Sequence, residues 1–164
     1  MGSKKIAYGG LFSALAILMG YVELLVPLPI PVPGVKLGLA NIIIILVLYV
    51  MGPKAAFFVS VIRVLLSGLL FAGFAGLLYS LSGALVSLAA MLLLYKTDKF
   101  SIIGISISGG IFHNIGQICV AALVVENMKL FYYLPILLVS GILTGAVIGM
   151  VAQTAMQYVN RNFS

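Results

Sequence analysis

Apolar stretches of about twenty residues follow one another along this chain, separated only by short clusters of proline, glycine or charge. At 1.5 Å of rise per residue, about 20 apolar residues are what a helix needs to cross a hydrocarbon core of about 30 Å. The breaks divide the sequence into six such spans, at 6–26, 35–51, 53–71, 74–95, 101–125 and 130–159. Composition agrees, with 63% of residues hydrophobic and 7% charged, against about 25% charged in soluble domains. The expected fold is all-α and polytopic. Residues 1–164 form a single integral membrane domain of six transmembrane helices in a lipid bilayer, with no soluble domain attached.

Lys4 and Lys5 ahead of an apolar run imitate a secretory leader, but the run is long and several more follow, so it reads as a retained first span. Pro27, Pro29, Pro31 and Pro33 with Gly34 make a stiff, polyproline-like loop after it, because proline fixes φ and cannot continue a helix. With six spans both termini share a side. Lys4, Lys5, Lys54, Lys96, Lys99 and Arg161 fall on that side, whereas only Lys36 and Lys129 flank the other. The positive-inside rule then places the N- and C-termini in the cytoplasm, and the proline-rich loop faces outward.

Within this apolar frame a few polar side chains stand out, and each is expensive at membrane depth unless something inside the protein needs it. Arg63 lies nine residues past Lys54, roughly 13 Å up its span, with Ser67 one turn higher. His113 lies twelve past Ser101, roughly 18 Å up, and Gln117 follows at i+4 on the same helix face. Asn114 is about 100° round from His113 and still able to line the same space. Asn41 and Lys36 sit near the outer end of the second span, and Glu23 near the outer end of the first. The group therefore collects from mid-membrane to the outer surface, as a pocket open to the outside would require. Arg63 offers a permanent cation and a planar fork for carboxylate or phosphate. His113, Asn114, Gln117, Asn41 and Ser67 add neutral donors and acceptors. The bland alternatives are concrete: His, Asn and Gln hydrogen-bonding neighbouring helices at about 0.6 kcal/mol each, Arg63 paired with Glu23, and Lys36 as a solvated rim charge.

Other chemistry is absent from the sequence. The basic residues are scattered, with no aromatic-interleaved stripe of the kind nucleic-acid binding uses. Glu23, Asp98 and Glu126 are the only acidic residues and none are close in sequence, so the clustered carboxylates of magnesium-dependent diphosphate chemistry are missing. No phosphate-cradling loop, metal-ligand spacing or cofactor motif occurs, and Cys119 has no disulfide partner. The chain reads as a non-enzyme without a metal or cofactor. Small residues repeat at four-residue spacing in Gly10 and Ala14, in Gly76, Ser80 and Ala84, and in Gly141, Gly145 and Gly149, which lets helices approach closely.

Three separated motifs, Pro33-Gly34-Val35-Lys36-Leu37-Gly38-Leu39-Ala40-Asn41, Arg63-Val64-Leu65-Leu66-Ser67-Gly68 and His113-Asn114-Ile115-Gly116-Gln117, together resemble the signature of the bacterial Gx transporter family, long labelled heptaprenyl diphosphate synthase component I. That family is similar in turn to the substrate-binding S components of energy-coupling factor (ECF) vitamin transporters. The resemblance implies a six-helix subunit of the bacterial plasma membrane that captures a small molecule from outside. It further implies association with a membrane scaffold subunit and two cytoplasmic ATPases, and toppling in the membrane to release cargo. Gly10-Leu11-Phe12-Ser13-Ala14 is the nearest match to the Ala-xxx-Ala motif with which S components dock their scaffold, with Gly10 in place of the first alanine. No substrate is implied beyond a small anionic or amphipathic molecule, such as an isoprenoid or quinone precursor. The alternative is a non-catalytic membrane accessory subunit in isoprenoid or quinone metabolism. A stand-alone channel ranks third, because the polar track stops near mid-depth.

Overall fold

The structure, a computed structural model, describes residues 3–25 and 38–163, apart from the side chains of Leu24 and of residues 159–163. The proline-rich loop and Lys36 lie outside the described residues. Every regular element among those described is helical. They are α1 (Ser3–Leu25), α2 (Leu39–Val50), α3 (Pro53–Ser67), a π-helical turn (Gly68–Ala72), α4 (Gly73–Tyr95), α5 (Ile102–Val124), a 3-10 turn (Met128–Tyr133) and α6 (Leu134–Phe163). Four stretches are long and apolar enough to cross a membrane, Ser3–Glu23, Pro53–Tyr95, Ile102–Val124 and Met128–Tyr158, with α2 a shorter apolar helix. This is the chain of a helical membrane protein.

The Pro53–Tyr95 stretch is not one rod. A Cβ added to Gly68 would stand 3.2 Å from the Cα of Leu77, whereas residues nine apart in an unbroken helix are separated by about 13 Å. The chain doubles back at Gly73, whose φ of 67° suits glycine. The expected third span, 53–71, is therefore α-helical only to Ser67 and ends in a π turn. The Ser67 hydroxyl donates to the Arg63 carbonyl at 2.6 Å, a back-bond that bends helices, and the wide turn follows directly. The expected sixth span differs similarly. Pro135 lacks the N–H of a helix interior and favours the first turn, so the α-helix starts at Leu134 and residues 128–133 wind as a 3-10 turn. At other breaks, Gly52 with a φ of 90° precedes Pro53 at the start of α3, and the Ser101 side chain caps α5 by accepting from the Gly104 N–H at 3.1 Å.

α2 carries Leu, Ile and Val round most of its circumference, so it is buried rather than amphipathic. Ile44, Ile45, Val47 and Leu48 are all at most 2% exposed and form the centre of the core. Phe12, Leu15 and Met19 of α1 pack against that core, as do Leu92, Leu94 and Tyr95 of α4. Gly38, at the start of α2, lies against Ile148, midway along α6, so α2 begins inside the bundle.

Glycines set the spacing of α4, α5 and α6. A Cβ on Gly110 would run into the Gly141 carbonyl, and those on Gly145 and Gly149 would stand 2.8 and 2.7 Å from the Cα atoms of Ile107 and Ile103. The Gly141, Gly145 and Gly149 ridge thus packs internally on α5. Between α4 and α5, Gly83 and Gly116 lie against the His113 and Ser82 carbonyls, and the Ser82 hydroxyl bonds the Gly116 carbonyl at 3.0 Å. Of the expected ridge at Gly76, Ser80 and Ala84, Ala84 is buried. Gly10 has nothing within 4 Å and Ala14 is exposed.

Candidate functional site

A cavity of about 340 Å³ lies inside the bundle, and side chains from all six helices line it. Glycines and serines, including Gly20, Gly68, Gly109 and Gly110, face this space and leave room that larger side chains would fill. The apolar part of the lining is Ile45, Val64, Phe71, Met91 and Ile148. Phe71, on the π turn, packs on Tyr21 of α1 with ring centroids 5.2 Å apart.

Arg63, Ser67, Asn41, His113 and Asn114 converge on this one cavity although they come from three helices. Arg63 retains some accessible surface, but its Nε is buried with no hydrogen-bond partner among the described residues. The guanidinium is thus held in place by packing rather than by a protein acceptor at that atom. Ser67 turns its hydroxyl proton to the Arg63 carbonyl and offers the cavity only acceptor capacity. The His113 ring rests in a notch over Gly83, where an added Cβ would stand 3.0 Å from Cε1.

Asn114 is 8% exposed and its Nδ2 donates to the Leu137 carbonyl of α6 at 2.6 Å. Its donor therefore serves helix packing, the alternative weighed for it. Gln117, one turn further along α5, is not among the cavity-lining residues, and Lys36 lies outside the described ones. The α5 lining runs through Ser106, Gly110 and His113, toward the start of the helix and away from Gln117. The polar track accordingly continues past mid-helix instead of stopping there.

Glu23, placed by sequence with this polar group and as a partner for Arg63, also lines the cavity, as do Ser80, Ser87, Ser106 and Thr144, which the sequence does not single out as cavity residues. Ser87 and Ser106 are 4% and 3% exposed, and the Ser106 Oγ has no hydrogen-bond partner among the described residues. A signal existed for Ser106, which precedes His113 by seven residues and so shares its helix face. Glu23 accepts from the Gly38 N–H through Oε1 at 2.7 Å, tying the end of α1 to the start of α2. Its charge acts on Arg63, but among the described residues no ion pair joins the two.

The arrangement can hold a compact molecule by one cation, one carboxylate and several hydroxyl and amide groups. Among the described residues, no three His, Cys, Asp or Glu side chains gather as metal ligands. No curated protein and no solved structure matches this chain. The family model described as heptaprenyl diphosphate synthase component I matches residues 12–155, nearly the whole length and all of the cavity-lining residues. The chain belongs to the heptaprenyl diphosphate synthase component I family.

Proposed function

We propose that this protein is the substrate-binding membrane subunit of an ECF-type importer, a six-span S-component-like bundle in the bacterial plasma membrane that captures a small molecule from outside. The observation that carries the reading is the cavity enclosed by all six helices with Arg63 in its wall. A permanent cation costs at least a few kcal/mol at membrane depth, and a binding role is the common reason for retaining one. Its volume lies at the lower end of the roughly 300–1,000 Å³ usual for small-molecule sites. At about 30 Å³ for each water it displaces, such a space suits a compact molecule and is far too small for a seven-unit prenyl chain.

Topology supports the same reading. The Glu23–Gly38 bond joins the end of α1 to the start of α2, and the Tyr49–Tyr95 ring pair joins the ends of α2 and α4. Lys4, Lys5, Lys54, Lys96 and Lys99 therefore share one end of the bundle, which the positive-inside rule makes cytoplasmic. The exposed Gly10 and Ala14 on α1 offer a smooth stripe for a scaffold subunit, through which two ATPases would supply energy.

The family's description favours a second reading, a non-catalytic accessory subunit that partners a prenyl diphosphate synthase in the membrane. Affinity purification from native membranes in mild detergent, with the partners identified by mass spectrometry, separates the two. Recovery of a polytopic scaffold and two ATPases, lost with Gly10→Leu, is the expected result. Recovery of a prenyl synthase without ATPases overturns the importer reading.

A further inference from the structure

Two opposite charges line one cavity without being joined. Arg63 has a buried Nε that no group among the described residues accepts from, and Glu23 contributes one oxygen to the Gly38 N–H, which leaves Oε2 for another donor. Before a ligand binds, water can solvate both. Any ligand that fills the space removes that water, and a buried charge left without a partner is costly. A ligand bearing only an anionic group would satisfy Arg63 but place a second negative charge near a desolvated Glu23. A purely cationic ligand would leave Arg63 in the equivalent position. Ser106 Oγ, buried without a partner in the same wall, adds a hydrogen-bonding group that a hydrocarbon tail would leave unsatisfied.

We infer that the molecule bound here carries groups of both kinds, a carboxylate or phosphate set against Arg63 and a protonated amine set against Glu23, so that each buried charge meets its opposite. The inference rests on the reading of this cavity as a ligand site. It assigns Glu23 a recognition role beyond its structural bond to Gly38, and it excludes an isoprenoid with a purely anionic head.

Glu23→Gln isolates the charge, because the amide oxygen still accepts from the Gly38 N–H. Arg63→Gln removes the opposite charge and keeps a donor. The full chain and both variants are purified in mild detergent, checked for monodispersity and denatured, and the released small molecules are identified by mass spectrometry. The expected result is a molecule with both acidic and amino groups, recovered at about tenfold lower yield or less from each variant. A molecule with charged groups of one sign only, or one retained equally by Glu23→Gln, overturns the inference and leaves the ligand site standing. If the full chain releases nothing, thermal unfolding is followed with 4-(aminomethyl)benzoate, 4-methylbenzoate and 4-methylbenzylamine, which match in size and differ in charge. Stabilisation by the first alone supports the inference, and stabilisation by either of the others to the same degree overturns it. No shift with any of the three overturns the ligand-site reading and this inference with it.

Discussion

The Nδ2 of Asn114 donates to the carbonyl of Leu137 at 2.6 Å, from α5 across to α6. The bond crosses beside a close approach of the two backbones, since Gly141, one turn beyond Leu137, faces both Asn114 and Gly110. Asn114 is therefore a clamp at the cavity wall rather than a free hydrogen-bonding group. Asn114→Ala should lower stability by about 0.6–2 kcal/mol, the range for such bonds between membrane helices. Asn114→Asp should cost more, because an ionised carboxylate would face a carbonyl oxygen. Thermal unfolding of the detergent-purified variants ranks them, and equal stability of all three proteins would remove the clamp.

Gly110 and Gly141 lie too close for any side chain, whereas Gly10 has open space around it. Gly110→Val forces backbones apart and should cost about 3 kcal/mol or more, the upper range for overpacking. Gly10→Ala should change stability by no more than about 0.5 kcal/mol, as an exposed substitution does. The fraction of each variant that elutes as a single species on size exclusion, with its melting temperature, checks the contrast.

The His113 ring occupies the notch left by Gly83, whose added Cβ would also stand 2.8 Å from the His113 carbonyl. Backbone cannot swing aside as a side-chain end does, so Gly83→Ala must shift α4 against α5 and reorient His113. Ligand retention should fall although residue 83 does not line the cavity. Retention equal to that of the parent protein would show that the ring position is immaterial.

Much of this architecture is legible in the sequence because membrane helices leave coarse marks. Runs of apolar residues broken at Gly52-Pro53, at Gly73 and around Lys96 to Lys99 locate helices to within a few residues. Counting along the helices also groups Arg63 with His113, and both residues line the same cavity. What escapes is governed by geometry between helices. Serine is common in membrane spans as a neutral filler, so Ser87 carries no sign of facing a cavity rather than a neighbour, and Ser106 only its place on the His113 face. Gln117 keeps the right face by periodicity, but the cavity extends in the other direction along α5. The sequence offers Glu23 as a partner for Arg63, whereas its bond to Gly38 depends on where α2 begins, which no local pattern records.

Ser106 separates the stability of the empty protein from its affinity for a ligand. Its Oγ is buried without a partner, and removing an unsatisfied polar group costs nothing or stabilises. Ser106→Ala should therefore melt at the same temperature as the parent or slightly higher when ligand-free. A bound ligand that supplies the missing hydrogen bond would lose about 0.5–1.5 kcal/mol of affinity in the variant, a several-fold rise in Kd. The two effects have opposite signs, so differential scanning fluorimetry with and without the extracted ligand reads both from one preparation. A variant that is less stable when empty would show that the hydroxyl bonds within the protein, and an unchanged ligand-induced shift would show that the ligand does not reach this part of the cavity.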